Sequence, residues 1–280
     1  MAIIIPEVYS EVLKEKTQGQ VKIAQFAVEL EGLSEFAEEG DKVSFPRWSA
    51  LSDAEDLTKG DAITAEQLAQ TKVTKTVKHK AKGVTIYDID AREGKGNFIE
   101  NAVGQQARIF AKAYDDELVK DIDANATLKG ATASADTMLE ENLINGLNLF
   151  GDDQDNESFA GIVINSRLLP SFYSMDGFTS KDKTYVADGN GIIVNGVVGY
   201  YRATIPVVLS DVNTYDSTKS ECKSYIIKKG ALGKKSKTNG TNIELERDAS
   251  KKATNVYADD MFVCGLIDTE GVAILRKTIA

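Results

Sequence analysis

The stretch from residue 43 to residue 89 most limits what this chain can fold into, because it is written to be extended yet has almost nothing to bury. Val43-Ser44-Phe45-Pro46-Arg47-Trp48 reads as a short strand, and its proline marks a sheet edge, since proline cannot donate to a ladder. Residues 49–62 are polar and acidic, and Ile63 to Gln70 has the length for one or two helical turns capped by Thr64. Lys72-Val73-Thr74-Lys75-Thr76-Val77-Lys78 is rich in β-branched residues and continues through Val84, Ile86 and Ile89, with Gly83 expected as a bulge. The sum is a two-stranded arm of about 45 residues without a core of its own. An isolated hairpin is marginal in water. This one must lie on something, and a neighbouring copy of the chain is the simplest support.

The flanking segments have more to pack. Pro6 opens a helical pattern in which Val8, Val12 and Leu13 recur, and an apolar stretch from Val21 to Leu30 follows. Residues 97–126 give the clearest helix, with Asn97 as N-cap and Glu100 three residues on. Ile99, Val103, Gln106, Phe110, Ala113, Leu118 and Ile122 follow its period, and it would run about 40 Å. Its other face carries Asp115, Asp116, Glu117, Asp121 and Asp123, which would repel packed phosphates if turned towards them. A second helix is expected around Thr137 to Phe150. Phe159 to Ile164 reads as a buried strand leading into a helix that ends near Gly177. Strands follow at Ile192–Val198, with Gly199 to Thr204 as a connection, then at Ile205–Leu209, Ser224–Ile227, Ile243–Arg247, Val256–Ile267 and Val272–Leu275. No linker divides the chain into separate globular units, and no internal repeat appears.

Charge and composition exclude several classes. The net charge is -10, with 43 acids against 33 bases, which disfavours general nucleic-acid binding. The charge is blocky: Glu29, Glu31, Glu35, Glu38, Glu39 and Asp41 face off against Lys72, Lys75, Lys78, Lys80 and Lys82. Such opposite-sign blocks suit pairing between subunits. There is no signal segment and no apolar run long enough to cross a membrane. Two cysteines, Cys222 and Cys264, make neither a disulfide framework nor a zinc site, and Cys264 reads as core.

Catalytic chemistry is equally thin. The single histidine, His79, sits in the lysine-rich strand, where any Ser-His-Asp or Cys-His arrangement would have to use it. Asp88 and Asp90 would share one face of a strand, yet they read better as a strand end than as a metal pair. Asp152 to Asn156 lacks the glycine and closing glutamate of a calcium loop. Gly189, Gly191 and Gly196 precede a strand rather than a helix, so no phosphate cradle forms. No catalytic residue, cofactor or metal is assigned, and the chain is read as a non-enzyme. Trp48 beside Arg47 is the kind of pair found at interface anchors.

The order of segments resembles a known family. Gly161-Ile162-Val163-Ile164-Asn165-Ser166-Arg167-Leu168-Leu169 is similar to the strand-to-helix passage of major capsid proteins of tailed bacteriophages. Asn195 to Gly199 followed by Ile205-Pro206-Val207-Val208-Leu209-Ser210-Asp211 is similar to another of their phrases, as are Tyr225–Leu232 and Ile243–Asp248 before the closing strands. The resemblance covers most of the chain. It implies an α+β, HK-97-like capsid fold: an N-terminal arm (1–43), an extended β-hairpin loop (44–90), a peripheral domain with a long spine helix (91–158), a mixed α/β axial domain (159–240), and C-terminal strands (241–280). It implies a homo-oligomer of hexamers and pentamers that closes into an icosahedral shell around double-stranded DNA, without sequence-specific binding and without a membrane. A separate scaffolding protein and a portal would be partners, with assembly in the host bacterial cytoplasm and residence in the virion capsid. Assembly contacts are expected from Phe45, Pro46, Arg47, Trp48, Lys72, Lys75 and Lys78 of the loop and Glu35, Glu38 and Glu39 of the arm. An encapsulin-like shell around a cargo enzyme is the alternative with the same fold.

Overall fold

The computed structural model describes residues 6–29, 40–48, 51–54, 56, 62–63, 65–93, 97–132, 134–152, 154–155, 158–180 and 196–279. In chain order these form helix α1 (Pro6–Gln18), a 3-10 turn at Ala24–Phe26, strands β1 (Val28–Glu29), β2 (Lys42–Trp48), β3 (Gln70–Thr76) and β4 (Lys78–Tyr87), then α2 (Asp88–Glu93) and α3 (Phe98–Asn125). Strand β5 (Leu128–Ala131), α4 (Glu140–Asn148), β6 (Phe159–Ile164), α5 (Leu169–Tyr173), β7 (Phe178–Ser180), β8 (Val197–Tyr201) and β9 (Ile205–Leu209) follow. The chain closes with β10 (Tyr215–Asp216), β11 (Glu221–Cys222), β12 (Ser224–Lys228), β13 (Leu232–Asp248), β14 (Ala253–Leu266) and β15 (Val272–Arg276). Among the described residues no helix is long and apolar enough to cross a membrane.

Two sheets carry the body. The larger has seven strands in the order β5-β15-β12-β6-β9-β8-β7, and the smaller has four in the order β1-β13-β14-β4. The inner strands of the large sheet, β15, β12, β6 and β9, are mostly apolar, as strands covered on both faces must be. Alternation sorts their side chains. Ile162, Ile164, Ile226, Ala273 and Leu275 face α4 and α5, where Leu143, Leu147 and Phe172 are fully buried. Val163, Tyr225, Ile227, Val272 and Ile274 face the C-terminal half of α3, through Leu118, Val119 and Ile122.

Helix α3 begins as the sequence requires, with the Asn97 side chain accepting from Glu100 N–H at 3.2 Å. Its N-terminal half lies on the small sheet, where Val103, Ala107 and Phe110 meet Tyr9 and Leu13 of α1 and Val256 and Ala258 of β14. The long strands β13 and β14 also reach both cores, with Leu232 and Leu266 at one end and Ile243 and Val256 at the other.

Several local expectations are corrected. The extended run through residues 72–89 is two strands, because Val77 breaks the ladder: its N–H donates to the Asp41 carbonyl at 2.9 Å and its carbonyl accepts from Gly40. Strand β3 pairs with β2, whereas β4 pairs with β14. Gly83 is no bulge, since it pairs with Tyr257 in unbroken register. A Cβ there would lie 2.8 Å from the Tyr257 ring, and that close approach is what glycine permits. Described residues 65–69 are not helical. Asp88 and Asp90 open α2 and do not lie on a strand. Gly199 to Tyr201 belong to β8, and the turn after it is made by Arg202 and Ala203 at φ 48° and 64°. Gly189 and Gly191 lie outside the described residues.

Candidate assembly surface

The β2–β3 hairpin pairs from Lys42 with Thr76 to Trp48 with Gln70, and neither strand has a further sheet neighbour among the described residues. Pro46, opposite Lys72, needs no partner for a missing N–H at such an edge. The root of the hairpin is fixed to the body. Phe45 is fully buried with Val77 against Val263 and Ile267. The Lys75 ammonium donates to Asp121 of α3 at 2.5 Å, and Leu266 N–H donates to the same carboxylate oxygen at 2.5 Å. Gly265 makes room for this junction, because a Cβ there would lie 2.6 Å from the Asp121 oxygen and 2.9 Å from Lys75 Cε. The Arg47 guanidinium ion-pairs with Asp268 at 2.7 Å.

Beyond the root the character inverts. Trp48 is 60% exposed, and the segment that continues from it exposes Leu51, Ile63 and Leu68. The two sides of this segment are tied by Glu66, which accepts from the Ser52 N–H at 2.9 Å and from its hydroxyl at 2.6 Å. The hydroxyl bond, with the backbone bond second, holds the Glu66 carboxyl below its usual range. The structure thus separates the loop residues singled out from sequence. Phe45 and Lys75 are committed within the chain, Lys78 approaches Glu117 at 3.8 Å, and Pro46, Trp48 and Lys72 are exposed or half-buried near the free end. Glu35, Glu38 and Glu39 lie outside the described residues.

The acids of α3 do not form an open face. Asp115 is buried and accepts from three backbone N–H groups, Lys22 at 3.0 Å and Ile23 and Ala24 at 2.9 Å. Burial raises its pKa, and the three bonds pull the other way. Glu117 takes Lys80 at 3.1 Å, and Asp123 takes Lys223 at 2.5 Å and the Tyr225 hydroxyl at 3.0 Å. Lys75, Lys78 and Lys80 of the basic block therefore pair with acids of α3. Sequence reasoning assigned Asp115 to the polar face. Its position, four after Ala111 and three before Leu118, places it on the buried stripe.

The remaining candidates have structural partners. His79 lies 3.0 Å from Asp259, and Arg247 grips Asp88 with two bonds of 2.8 and 2.5 Å. Among the described residues no three His, Cys, Asp or Glu side chains gather as a metal site. Cys222 and Cys264 are free thiols, and burial pushes Cys222 up to about 12 and Cys264 higher still, so neither is a poised nucleophile.

A family model described as phage capsid protein matches residues 69–275. The major capsid protein of Staphylococcus phage phiMR11 is 26% identical over 275 residues, which is 98% of this chain and 93% of that one. Among solved structures, a chain of Gordonia phage Cozz aligns with a TM-score of 0.64 at 11% identity, covering 93% of this chain and 87% of that chain. One of Mycobacterium phage Che8 aligns with a TM-score of 0.61 at 17% identity, covering 91% of each.

Proposed function

We propose, from the premise that this chain belongs to the phage capsid protein family, that its copies associate as hexamers and pentamers and close into an icosahedral shell around double-stranded DNA. The chain is a major capsid protein with an α+β, HK-97-like fold, a structural component of the virion shell and not an enzyme. The family match favours this reading over a shell built around a cargo enzyme.

The shell reading is carried by the loop. Its root is bolted to the body through Phe45 and Lys75, while its free end presents Trp48, Leu51, Ile63 and Leu68 to solvent. Apolar residues held out in solvent are costly unless another surface covers them, and an adjacent copy supplies that surface at every position of a closed ring. On this reading Pro46, Arg47, Trp48 and Lys72 make contacts between copies, with the arm acids Glu35, Glu38 and Glu39 as further contributors. Phe45, Lys75 and Lys78 aim the loop. The functional units are the arm (1–43), the loop (44–90) with its last strand rooted in the small sheet, the peripheral region (91–158) with α3 as spine, the axial region (159–240) and the closing strands (241–280). A scaffolding protein and a portal are the expected partners, DNA is enclosed without base readout, and assembly takes place in the host bacterial cytoplasm.

Negative-stain electron microscopy beside size-exclusion chromatography tests this. Closed shells, or rings of five and six, are expected from the purified protein alone or after addition of its scaffold. A monomer that stays monomeric at every concentration, with and without the scaffold, would overturn the reading.

A further inference from the structure

A cleft with room for about 60 Å³ opens where α1, β1, α3 and β13 meet. Its floor is Asp260 of β14, only 5% exposed. One carboxylate oxygen of Asp260 accepts from the Tyr114 hydroxyl at 2.8 Å, and the other, Oδ1, is buried without a hydrogen-bond partner. Tyr114 is itself fixed by stacking on Phe262, with ring centroids 3.9 Å apart. The outer wall is the N-terminal segment, through Lys14, Thr17, Gln18, Val21, Ala24 and Glu29. The arm is therefore the cover of a buried acid that is half satisfied.

The charged groups around Asp260 do not resolve this. Lys14 of α1 and Lys234 of β13 line the cleft and attract a carboxylate, while Glu29 of β1 and the adjacent Asp259 repel it. His79 of β4 is engaged with Asp259 at 3.0 Å. Lys80, opposite Asp260 in the ladder, has its ammonium on Glu117 at 3.1 Å. An ionised carboxylate with an unpartnered oxygen costs more in this setting than a neutral acid does. The wall most readily moved to hydrate it is the arm, which is held by helix packing, by Asp115 and by the two-residue pairing of β1 with β13. The strands on the other sides are locked in ladders.

We propose that Asp260 is a proton-operated latch on the N-terminal arm: as the neutral acid it keeps α1 and β1 closed over α3, and as the carboxylate it loosens them. Burial, the largest influence, raises the Asp260 pKa to about 6 against an ordinary 3.8, with the Tyr114 bond opposing. Because the closed-state value is the higher one, closure is favoured at low pH and weakens as pH rises through about 6. The latch thus works in a range where a modest change of pH decides whether the arm is bound or available to another copy.

Hydrogen exchange of the full chain, corrected for the intrinsic effect of pH, reads the arm directly. Protection of residues 7–29 is expected to fall about tenfold between pH ~5 and pH ~8, while that of β6 and β12 stays constant. Asp260→Asn should remove the pH dependence. Tyr114→Phe, which deletes the bond favouring the carboxylate, should move the midpoint upwards. His79→Gln is the control: it should keep the pH dependence and move its midpoint slightly upwards, because the His79 charge favours the Asp260 carboxylate. Wild-type protection independent of pH, a profile kept in Asp260→Asn, or one lost in His79→Gln would each overturn the proposal. If Asp260→Asn does not fold, the Tyr114→Phe midpoint decides, and an unmoved midpoint counts against it.

Discussion

Asp115 shows how one side chain can hold a segment that lacks its own core. Its carboxylate collects the N–H groups of Lys22, Ile23 and Ala24, which would otherwise be buried donors at the start of a 3-10 turn. Asp115→Ala leaves those donors unsatisfied and should cost about 3 kcal/mol in urea unfolding, with the greatest loss of exchange protection at residues 22–24. Asp115→Asn, which keeps one acceptor oxygen, should lose less. At this scale the sequence was partly readable. The cap at Asn97 follows from chemistry between neighbours in the chain, and the structure has it. The destination of Asp115 depends on a segment 91 to 93 residues away, and no local pattern encodes that distance.

The hairpin is where element and function meet. Its strands and its edge proline were legible, because β-branched residues and a missing N–H act locally. Where it ends was not, since Val73 and Val84 look alike in sequence, yet one serves the arm and the other the body sheet. What divides them is Val77, whose backbone bonds go to residues 40 and 41. This anatomy predicts that two aromatic substitutions part company. Phe45→Ala removes the root anchor and should destabilise the chain by about 3 kcal/mol. Trp48→Ala should leave unfolding within about 0.5 kcal/mol of wild type yet reduce assembly, read as the fraction of protein sedimenting as rings or shells. Equal stability losses in the two variants would mean that the tip is not a free surface.

On the scale of the whole molecule, α3 and the β13–β14 ribbon each contribute both to the core on one face of the large sheet and to the core of the small sheet. Among the described residues these shared elements couple the two sheets. Calorimetry of the unassembled protein should therefore give a single transition whose calorimetric and van't Hoff enthalpies agree, and two resolved transitions would contradict the shared core. The α+β class and most strands were visible in the sequence, because burial on both faces writes unbroken apolar runs. The strand order was not, because pairing between distant segments leaves no periodic trace.

The position of β15 sets a clock on synthesis. It lies between β5 and β12, so residues 272–276 complete the interior of the seven-stranded sheet. Until they have left the ribosome, β5 has no strand to join and Ile226 and Leu147 lack the cover that Ala273 and Leu275 provide. The hairpin, made some two hundred residues earlier, waits through that interval with its tip exposed and no finished body to aim it. A nascent subunit therefore has no complete seven-stranded sheet to bring to a growing shell until residues 272–276 have been made.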